Sequence, residues 1–476
     1  MKQQLINGQW CNADNGNTWD VINPATEEVV AAVPYGNEAD AHLAIAAAVN
    51  AFPSWSCLSA WSRAELLKKT AEIIRKNVID FGRETTLESG KPKAEAEGEW
   101  KVAANLFEWY AEEGKRSYGK VIPSQRTDKR MSVIYQPMGV IGIITAWNFP
   151  AYNPARAGAA ALAAGCTIVC KGSEFTPLST INLFTALKEA GIPDGVANLV
   201  NGDSAKIGEA MLENPKLKKI SFTGSTRVGK ILMDGASKTN TKLALELGGN
   251  APVIIMDDVD VEQVAKTAVT SKFRNAGQVC VAPQRFFVHR KIYDAFVTAA
   301  AQYAKAHLTG NGLEPASKMG PLINRRQQDM VMQLIEEAKQ EGAEIVTGGT
   351  KREKGFFIEP TVIADRRGTA RFADQEIFGP ILPVEPFDTL EEVIAKANNT
   401  PYGLAAYIWT NDLKTSILLS EKLEFGMVGI NEWAPHATEA PFGGWKQSGI
   451  GHESGSEGLY EYLEKKLISI GSLGEL

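Results

Sequence analysis

One cysteine in this chain stands in a setting suited to covalent chemistry. Cys280 closes the run Phe273-Arg-Asn-Ala-Gly-Gln-Val-Cys280, after a helical stretch and before the β-rich Arg285–Val288. A lone cysteine is ordinarily a small buried hydrophobe. Here Gly277 and Gln278 open the backbone beside the thiol, and Arg274 supplies positive charge that favours the thiolate. A thiol nucleophile normally wants a base. None of the five histidines (His42, His289, His307, His436, His452) lies in a segment resembling the His partner of a cysteine hydrolase. Glu246 is better placed, in the apolar run Leu243-Ala-Leu-Glu-Leu-Gly-Gly249. Such surroundings raise a carboxyl pKa toward neutrality, which suits general-base work. Taken alone, the segment reads equally as an element ending in one exposed glutamate.

A second chemistry concerns phosphates. The stretch from Lys218 to Ile231 reads as strand, glycine turn, then helix, so free N–H groups at the helix start can face an anion. Its core, Gly224-Ser-Thr-Arg-Val-Gly229-Lys230, has the spacing of a Walker A loop, but Ile231 stands where Ser or Thr must ligate Mg²⁺. That argues against nucleoside-triphosphate hydrolysis and leaves a diphosphate-binding helix start or a tight structural turn. No G-x-G-x-x-G follows a strand. Cys166 and Cys170 are spaced C-x3-C with no second Cys or His pair, so no metal site is expected.

These residues need elements to hold them. Helical spacing marks Glu38–Ser54, Trp61–Arg83 and about Ala94–Glu113. Met131–Ala146 then turns β-branched and glycine-punctuated. Beyond it, short apolar runs alternate with Ala-rich helical runs: Thr167–Cys170 then Leu178–Ala190, Val196–Val200 then Ala205–Leu212, Lys219–Phe222 then Arg227–Ser237. That rhythm predicts βαβ units and a parallel sheet. Ala251–Met256 opens a second α/β region, with helices near Val261–Asn275, Tyr293–His307 and Gln327–Glu341 and strands near Phe286–Val288 and Ala343–Val346. Asp388–Gly403 reads as the turn and helix returning the chain toward the first region. Two facing α/β regions leave a cleft, where ligands usually bind.

Composition sets the outer limits. The chain has 476 residues, 50 Lys+Arg against 56 Asp+Glu for a net charge of −6, and 44% hydrophobic residues. This is the ordinary globular mixture, with length for two or three domains. Disorder is excluded, and mild acidity argues against a nucleic-acid or anionic-membrane binder. No apolar run reaches the ~18 residues needed to span a bilayer. The start has no signal-peptide core. Five scattered cysteines do not form a disulfide framework. The expectation is a cytoplasmic protein with reduced thiols.

Seven segments in order carry a resemblance: Trp147-Asn-Phe-Pro150, Lys171-Gly-Ser-Glu174, Phe222-Thr-Gly-Ser-Thr226, Glu246-Leu-Gly-Gly249, Gly277-Gln-Val-Cys280, Glu376-Ile-Phe-Gly-Pro380 and Pro441-Phe-Gly-Gly-Trp-Lys-Gln-Ser-Gly449. Over nearly its whole length the chain resembles the NAD(P)-dependent aldehyde dehydrogenase superfamily. The resemblance implies a Rossmann-type cofactor domain (1–116 and 139–248), an α/β catalytic domain (249–430), a small β oligomerisation element (117–138 and 463–476) and a C-terminal segment lining the substrate pocket (431–462). It implies a homodimer or homotetramer.

It also implies roles. Cys280 attacks the aldehyde, the Asn148 amide and the Cys280 N–H hold the oxyanion, and Glu246 activates the water that hydrolyses the thioester. Thr145, Trp147, Lys171, Ser173, Glu174, Gly224, Ser225, Gly248, Glu376 and Phe378 match cofactor positions. Glu174 matches the acceptor of both adenosine-ribose hydroxyls and repels a 2′-phosphate, so NAD is expected, with NADP possible because Lys171 softens the discrimination. Gly172 replaces the usual Pro, which predicts a more flexible loop.

Arg156 and Arg274 match the two carboxylate-binding arginines of succinate-semialdehyde dehydrogenases, and paired guanidinium groups suit a carboxylate. The bland alternative is that they pair with acidic neighbours. The serine that usually completes the anchor is absent, with His436 and Ala437 in its neighbourhood and Trp433 reshaping the wall, as in 2-oxoglutarate-semialdehyde dehydrogenases. The expected substrate is an ω-carboxylate semialdehyde. A neutral or aromatic aldehyde, or a cysteine hydrolase or acyltransferase activity, remains the alternative. Ala282 excludes a C-x-C disulfide with Cys280, and His452 replaces the usual Arg after Ser-Gly-x-Gly.

Overall fold

A computed structural model of the chain describes residues 2–373 and 375–472. The alternating rhythm becomes an eight-stranded sheet. Five parallel strands form its centre, in the spatial order Ala197–Leu199, Thr167–Lys171, Val140–Ile144, Leu217–Thr223, Lys242–Glu246. The chain therefore runs outward from Val140–Ile144 in one direction and then resumes on its other side at Leu217–Thr223. That reversal leaves a crevice beyond the carboxyl ends of these two strands, the usual ligand position in such sheets.

A seven-stranded sheet follows, with the order Glu344–Thr347, Thr361–Ala364, Ile381–Phe387, Pro283–His289, Ala251–Ile255, Ala405–Trp409, Met427–Ile430, parallel except at its first edge. Its strands are near-continuous buried apolar runs, because helices cover both faces. A third sheet pairs Leu463–Ile470 with Arg130–Pro137 and that strand with Lys120–Ile122, all antiparallel. The last four residues of the 463–476 tail lie outside the described residues.

Local signals explain the helix starts. Asn37 and Asp40 form a reciprocal cap on Glu38–Ser56, Asp203 caps Ser204–Glu213, and Ser225 caps Thr226–Ala236. Each cap contributes roughly 0.5–2 kcal/mol. Helix Tyr152–Ala164 stops at Gly165, whose φ of 94° is left-handed.

Two expectations change, and the structure adds N-terminal strands for which there was none. The helical run Trp61–Arg83 is two helices, Ala60–Lys76 and Val78–Ser89, because the Asn77 side chain donates to the Ile73 carbonyl and ends the first. The N-terminus carries strands that its polar sequence does not announce, and Gln4–Ile6 extends the first sheet through Leu5 opposite Leu199. Asp388–Gly403 does not return the chain. Its helix Leu390–Asn398 leads to Ala405–Trp409, which joins the second sheet. The return comes at Gly449–Ile450, paired antiparallel with Leu245 and Glu246.

Candidate active site

The chain passes from one sheet to the other through a short bridge that begins at Glu246. Strand Lys242–Glu246 is the last parallel strand of the first sheet, and Ala251–Ile255 lies in the interior of the second. Between them Gly249 lies so close to Cys280 that an added Cβ would stand 2.3 Å from its carbonyl oxygen. Ser448 locks the bridge, donating from its hydroxyl to the Gly248 carbonyl at 2.7 Å and accepting the Leu247 N–H on its own carbonyl at 2.8 Å. Glu246 and Cys280, 34 positions apart in sequence (280 − 246), are thereby close enough for the Glu246 charge to act on the thiol.

Cys280 follows a tight turn in which Asn275, Ala276 and Gly277 all have left-handed φ, at 48°, 54° and 74°. Gly277 is obligatory there, because a Cβ would meet the Gly379 carbonyl at 2.1 Å. Burial pushes the Cys280 thiol up to about 12; the Arg156 charge opposes this, while Glu376 and Glu246 add to it. The cation favouring the thiolate is thus Arg156 rather than the Arg274 that sequence proximity indicates, because Arg274 turns toward the Phe149 ring, 5.2 Å from its centroid. Glu246 is buried, and neither carboxylate oxygen has a hydrogen-bond partner. Burial raises its pKa well above the ordinary carboxylate range, against a lowering by Arg156. Asn148 is held by four hydrogen bonds, one of them accepted by its Oδ1 from the Asn153 amide at 3.4 Å. Asn148 itself donates from its amide to the Gln278 carbonyl at 3.2 Å, and its carbonyl accepts from Lys91 at 2.7 Å and from Asn275 at 3.0 Å.

A cavity of about 340 Å³ opens on Cys280, and Arg156, Arg274, His436, Tyr152 and Phe442 line it. Both arginines therefore reach one pocket. Arg156 is buried, ion-paired with Glu453, and sits 4.3 Å from the Phe442 ring and 5.0 Å from the Tyr152 ring. Glu453 in turn accepts from Ser221 at 2.8 Å. Burial lowers the His436 pKa to about 4, with Arg274 and Arg156 contributing, so the imidazole is neutral at pH 7 and its buried Nδ1 has no partner. Trp433 is not among the cavity-lining residues. The left-handed turn at Asn431 directs it onto Trp409, Tyr407 and Phe286 of the second sheet, 4.8–6.3 Å between centroids.

The cofactor set gathers at the carboxyl ends of the first sheet's strands. Thr145 and Trp147 follow Val140–Ile144, and Lys171 to Glu174 follow Thr167–Lys171. Gly224 and Ser225 follow Leu217–Thr223 and start a helix. Lys171 donates to Glu174 at 2.9 Å and to Ser204 at 2.5 Å, and Ser204 donates to Glu174 at 3.0 Å. Ser173 accepts the Phe175 N–H. Across the crevice Glu376 accepts the Gly249 N–H at 3.0 Å, with burial raising its pKa to about 7. A Cβ on Gly248 would lie 3.0 Å from its Oε2. Phe378, at a left-handed φ of 43°, presents its ring to the edge of Trp147 at 5.4 Å. Thr145 Oγ1 is buried without a partner. This crevice fits a dinucleotide: an open helix start for a diphosphate, carboxylates at both ends for ribose hydroxyls, and an unpaired hydroxyl between them. Gly172 packs close to Thr180, where a Cβ would stand 2.6 Å from the hydroxyl.

Comparison with known proteins agrees with this geometry. The aldehyde dehydrogenase family model matches residues 10–468. The chain belongs to the aldehyde dehydrogenase family. It is 44% identical to glutarate-semialdehyde dehydrogenase of Pseudomonas putida, covering 98% of both chains. It is 43% identical to succinate-semialdehyde dehydrogenase [NADP(+)] of Escherichia coli, over 99% of this chain and 98% of that one. Among solved structures, betaine aldehyde dehydrogenase of Staphylococcus aureus in complex with NAD⁺ superposes with a TM-score of 0.97 at 37% identity, covering 100% and 96% of the two chains. The protein is accordingly an NAD(P)-dependent oxidoreductase of α/β fold, and the family assignment replaces the hydrolase and acyltransferase alternatives. Among the described residues of this aldehyde dehydrogenase, no helix is long and apolar enough to cross a membrane.

Sequence reasoning missed several residues of the site. Lys91, Glu95, Glu99, Tyr152, Phe442 and Glu453 surround or support the cavity. Phe442 lay inside the Pro441–Gly449 segment and Tyr152 just after Trp147–Pro150, while Lys91 and Glu453 lay beside Gly90-Lys91-Pro92 and Ser448-Gly-Ile-Gly-His452.

Proposed function

We propose that this enzyme oxidises an ω-carboxylate semialdehyde of four or five carbons to the dicarboxylic acid, preferring NAD. The observation that carries the reading is the convergence of Arg156, Arg274 and Cys280 on one cavity. The named relatives acting on glutarate and succinate semialdehydes support it. The aldehyde carbon meets the Cys280 thiolate, whose charge Arg156 favours. Asn148 Nδ2 and the Cys280 N–H stabilise the oxyanion, each such donor contributing about 2.7–4 kcal/mol. Glu174, Glu376 and Ser225 would hold NAD, which would accept the hydride leaving the Cys280 hemithioacetal, so that a thioester remains on Cys280. Glu246 then takes a proton from the water that opens the thioester, releasing acid and free thiol. The sheet of Lys120–Ile122, Arg130–Pro137 and Leu463–Ile470 serves in this reading as the oligomerisation element of a homodimer or homotetramer.

A second reading, oxidation of a neutral or aromatic aldehyde, is favoured by the aromatic walls Phe149, Tyr152 and Phe442 and by the commitment of Arg156 to Glu453. A panel of aldehydes of equal length with and without a distal carboxylate separates the two. Arg274→Ala is the cleaner probe, since it leaves the Arg156–Glu453 pair intact. It should raise KM for the carboxylate substrates by about 10–100-fold, as loss of a charge-assisted contact worth roughly 1.5–3 kcal/mol requires. KM for the neutral aldehydes should hardly move. Equal effects on both classes would reject the carboxylate anchor.

A further inference from the structure

In the wall of the cavity, where Glu99 lines it, lies a buried ion pair that none of the proposed catalytic steps uses. Lys91 and Glu99 are each 1% exposed in their side chains and meet at 2.6 Å. Burying two charges is costly, and such a pair is weak support for stability in itself. What distinguishes this one is where its remaining hydrogen bonds go. Lys91 donates to the Asn148 carbonyl at 2.7 Å, and its ammonium lies 4.4 Å from the Phe149 ring centroid. Glu99 accepts the N–H groups of Ala151 and Tyr152 at 2.7 and 3.1 Å. Those N–H groups open helix Tyr152–Ala164, which carries Arg156 one turn further on. A carboxylate there is also favoured by the helix dipole.

One turn earlier on helix Lys93–Glu113, Glu95 accepts the Asn275 N–H at 2.8 Å. Asn275 returns a side-chain bond to the same Asn148 carbonyl at 3.0 Å. The Asn148 peptide is thus gripped by Lys91, from the loop before helix Lys93–Glu113, and from the Cys280 turn by Asn275. We infer that Lys91 and Glu99 are positioning residues: the pair sets the orientation of the Asn148 amide toward the Cys280 centre and the start of the Arg156 helix, so the oxyanion donor and the substrate anchor share one support. A displacement of about 1 Å at such a donor is enough to cost on the order of 100-fold in rate.

The inference rests on the catalytic roles proposed for Cys280 and Asn148. The test uses the full enzyme and the double variant Lys91→Met/Glu99→Gln, which removes both charges together and orphans neither. Stopped-flow mixing with NAD and aldehyde should show the first-turnover NADH burst slowed by about 10–100-fold. The thermal midpoint, NAD binding and the rate of Cys280 alkylation by iodoacetamide should stay at parental values. Lys91→Arg keeps a charged donor and should retain the burst within a few-fold. A parental burst in the double variant overturns the inference. So does a slowed burst matched by equal losses in alkylation and thermal midpoint, which a general packing defect would give. If instead the parent gives no aldehyde-dependent NADH, or Asn148→Ala keeps a full burst, the catalytic reading itself fails.

Discussion

Glu246 has no donor on either carboxylate oxygen, while Lys91, Glu99 and Glu453 in the same neighbourhood are paired. A buried carboxyl left in that state stores its desolvation penalty as a raised pKa. Such isolation suits a group that must accept a proton from water near neutral pH. The sign follows directly. With the folded pKa raised, Glu246 is protonated and idle at low pH and becomes a base as pH rises through its raised value. Under conditions where thioester hydrolysis limits turnover, kcat should therefore climb as pH rises through that raised pKa. Glu246→Gln should flatten that rise and lower kcat by about 100-fold or more, while the stoichiometric NADH burst persists. A pH-independent parent, or a variant that turns over normally, would remove Glu246 from the hydrolytic step. Arg156 joins both functions at this scale. Removing it strips an anchor and leaves Glu453 buried and unpaired, a loss of about 3–5 kcal/mol, so Arg156→Ala should lower the thermal midpoint in a way that Arg274→Ala does not.

At the scale of elements, the catalytic thiol depends on one short turn. Three successive left-handed residues are unfavourable, and only the third is glycine. The turn persists because the Asn275 N–H is taken by Glu95 and the Gln278 amide reaches the Asn275 and Pro321 carbonyls. Gly277→Ala should lower the unfolding free energy by about 1–3 kcal/mol for the φ strain alone. The forced contact with the Gly379 carbonyl should cost more in activity than in stability, because Gly379 follows Phe378, which we propose as a cofactor contact. Comparing denaturant midpoints with kcat/KM checks this. Full activity in a stably folded variant would show that the close approach is not needed.

For the whole molecule, the third sheet leaves apolar side chains in the open. Val121 is 87% exposed and Leu467 60% exposed, on the two edge strands. Exposed apolar edge strands invite pairing with another chain. If this sheet is the subunit interface, Val121→Asp combined with Leu467→Glu should halve or quarter the sedimenting mass at micromolar concentration. An unchanged mass would move the interface elsewhere.

Much of the architecture was legible in the linear chain. Alternating apolar runs specify parallel strands and helical spacing marks the helices, because each signal is read within a few residues. Cys280 and Glu246 stood out for the same local reason. The N-terminal strands and the return at Gly449–Ile450 did not, since short edge strands take their order from partners about 200 residues away. Electrostatics was the least legible layer. Adjacency in sequence pointed to Arg274 as the cation beside the thiol, and only the tertiary structure supplied Arg156, carried in on a helix more than 100 residues earlier. Glu95 and Glu99 were invisible for that reason too: a glutamate on a polar helix face reads as solvated until the helix is docked against the active site. Residue chemistry was decided by the sequence, and the charge each residue feels by the fold, because burial and pairing are properties of position in space.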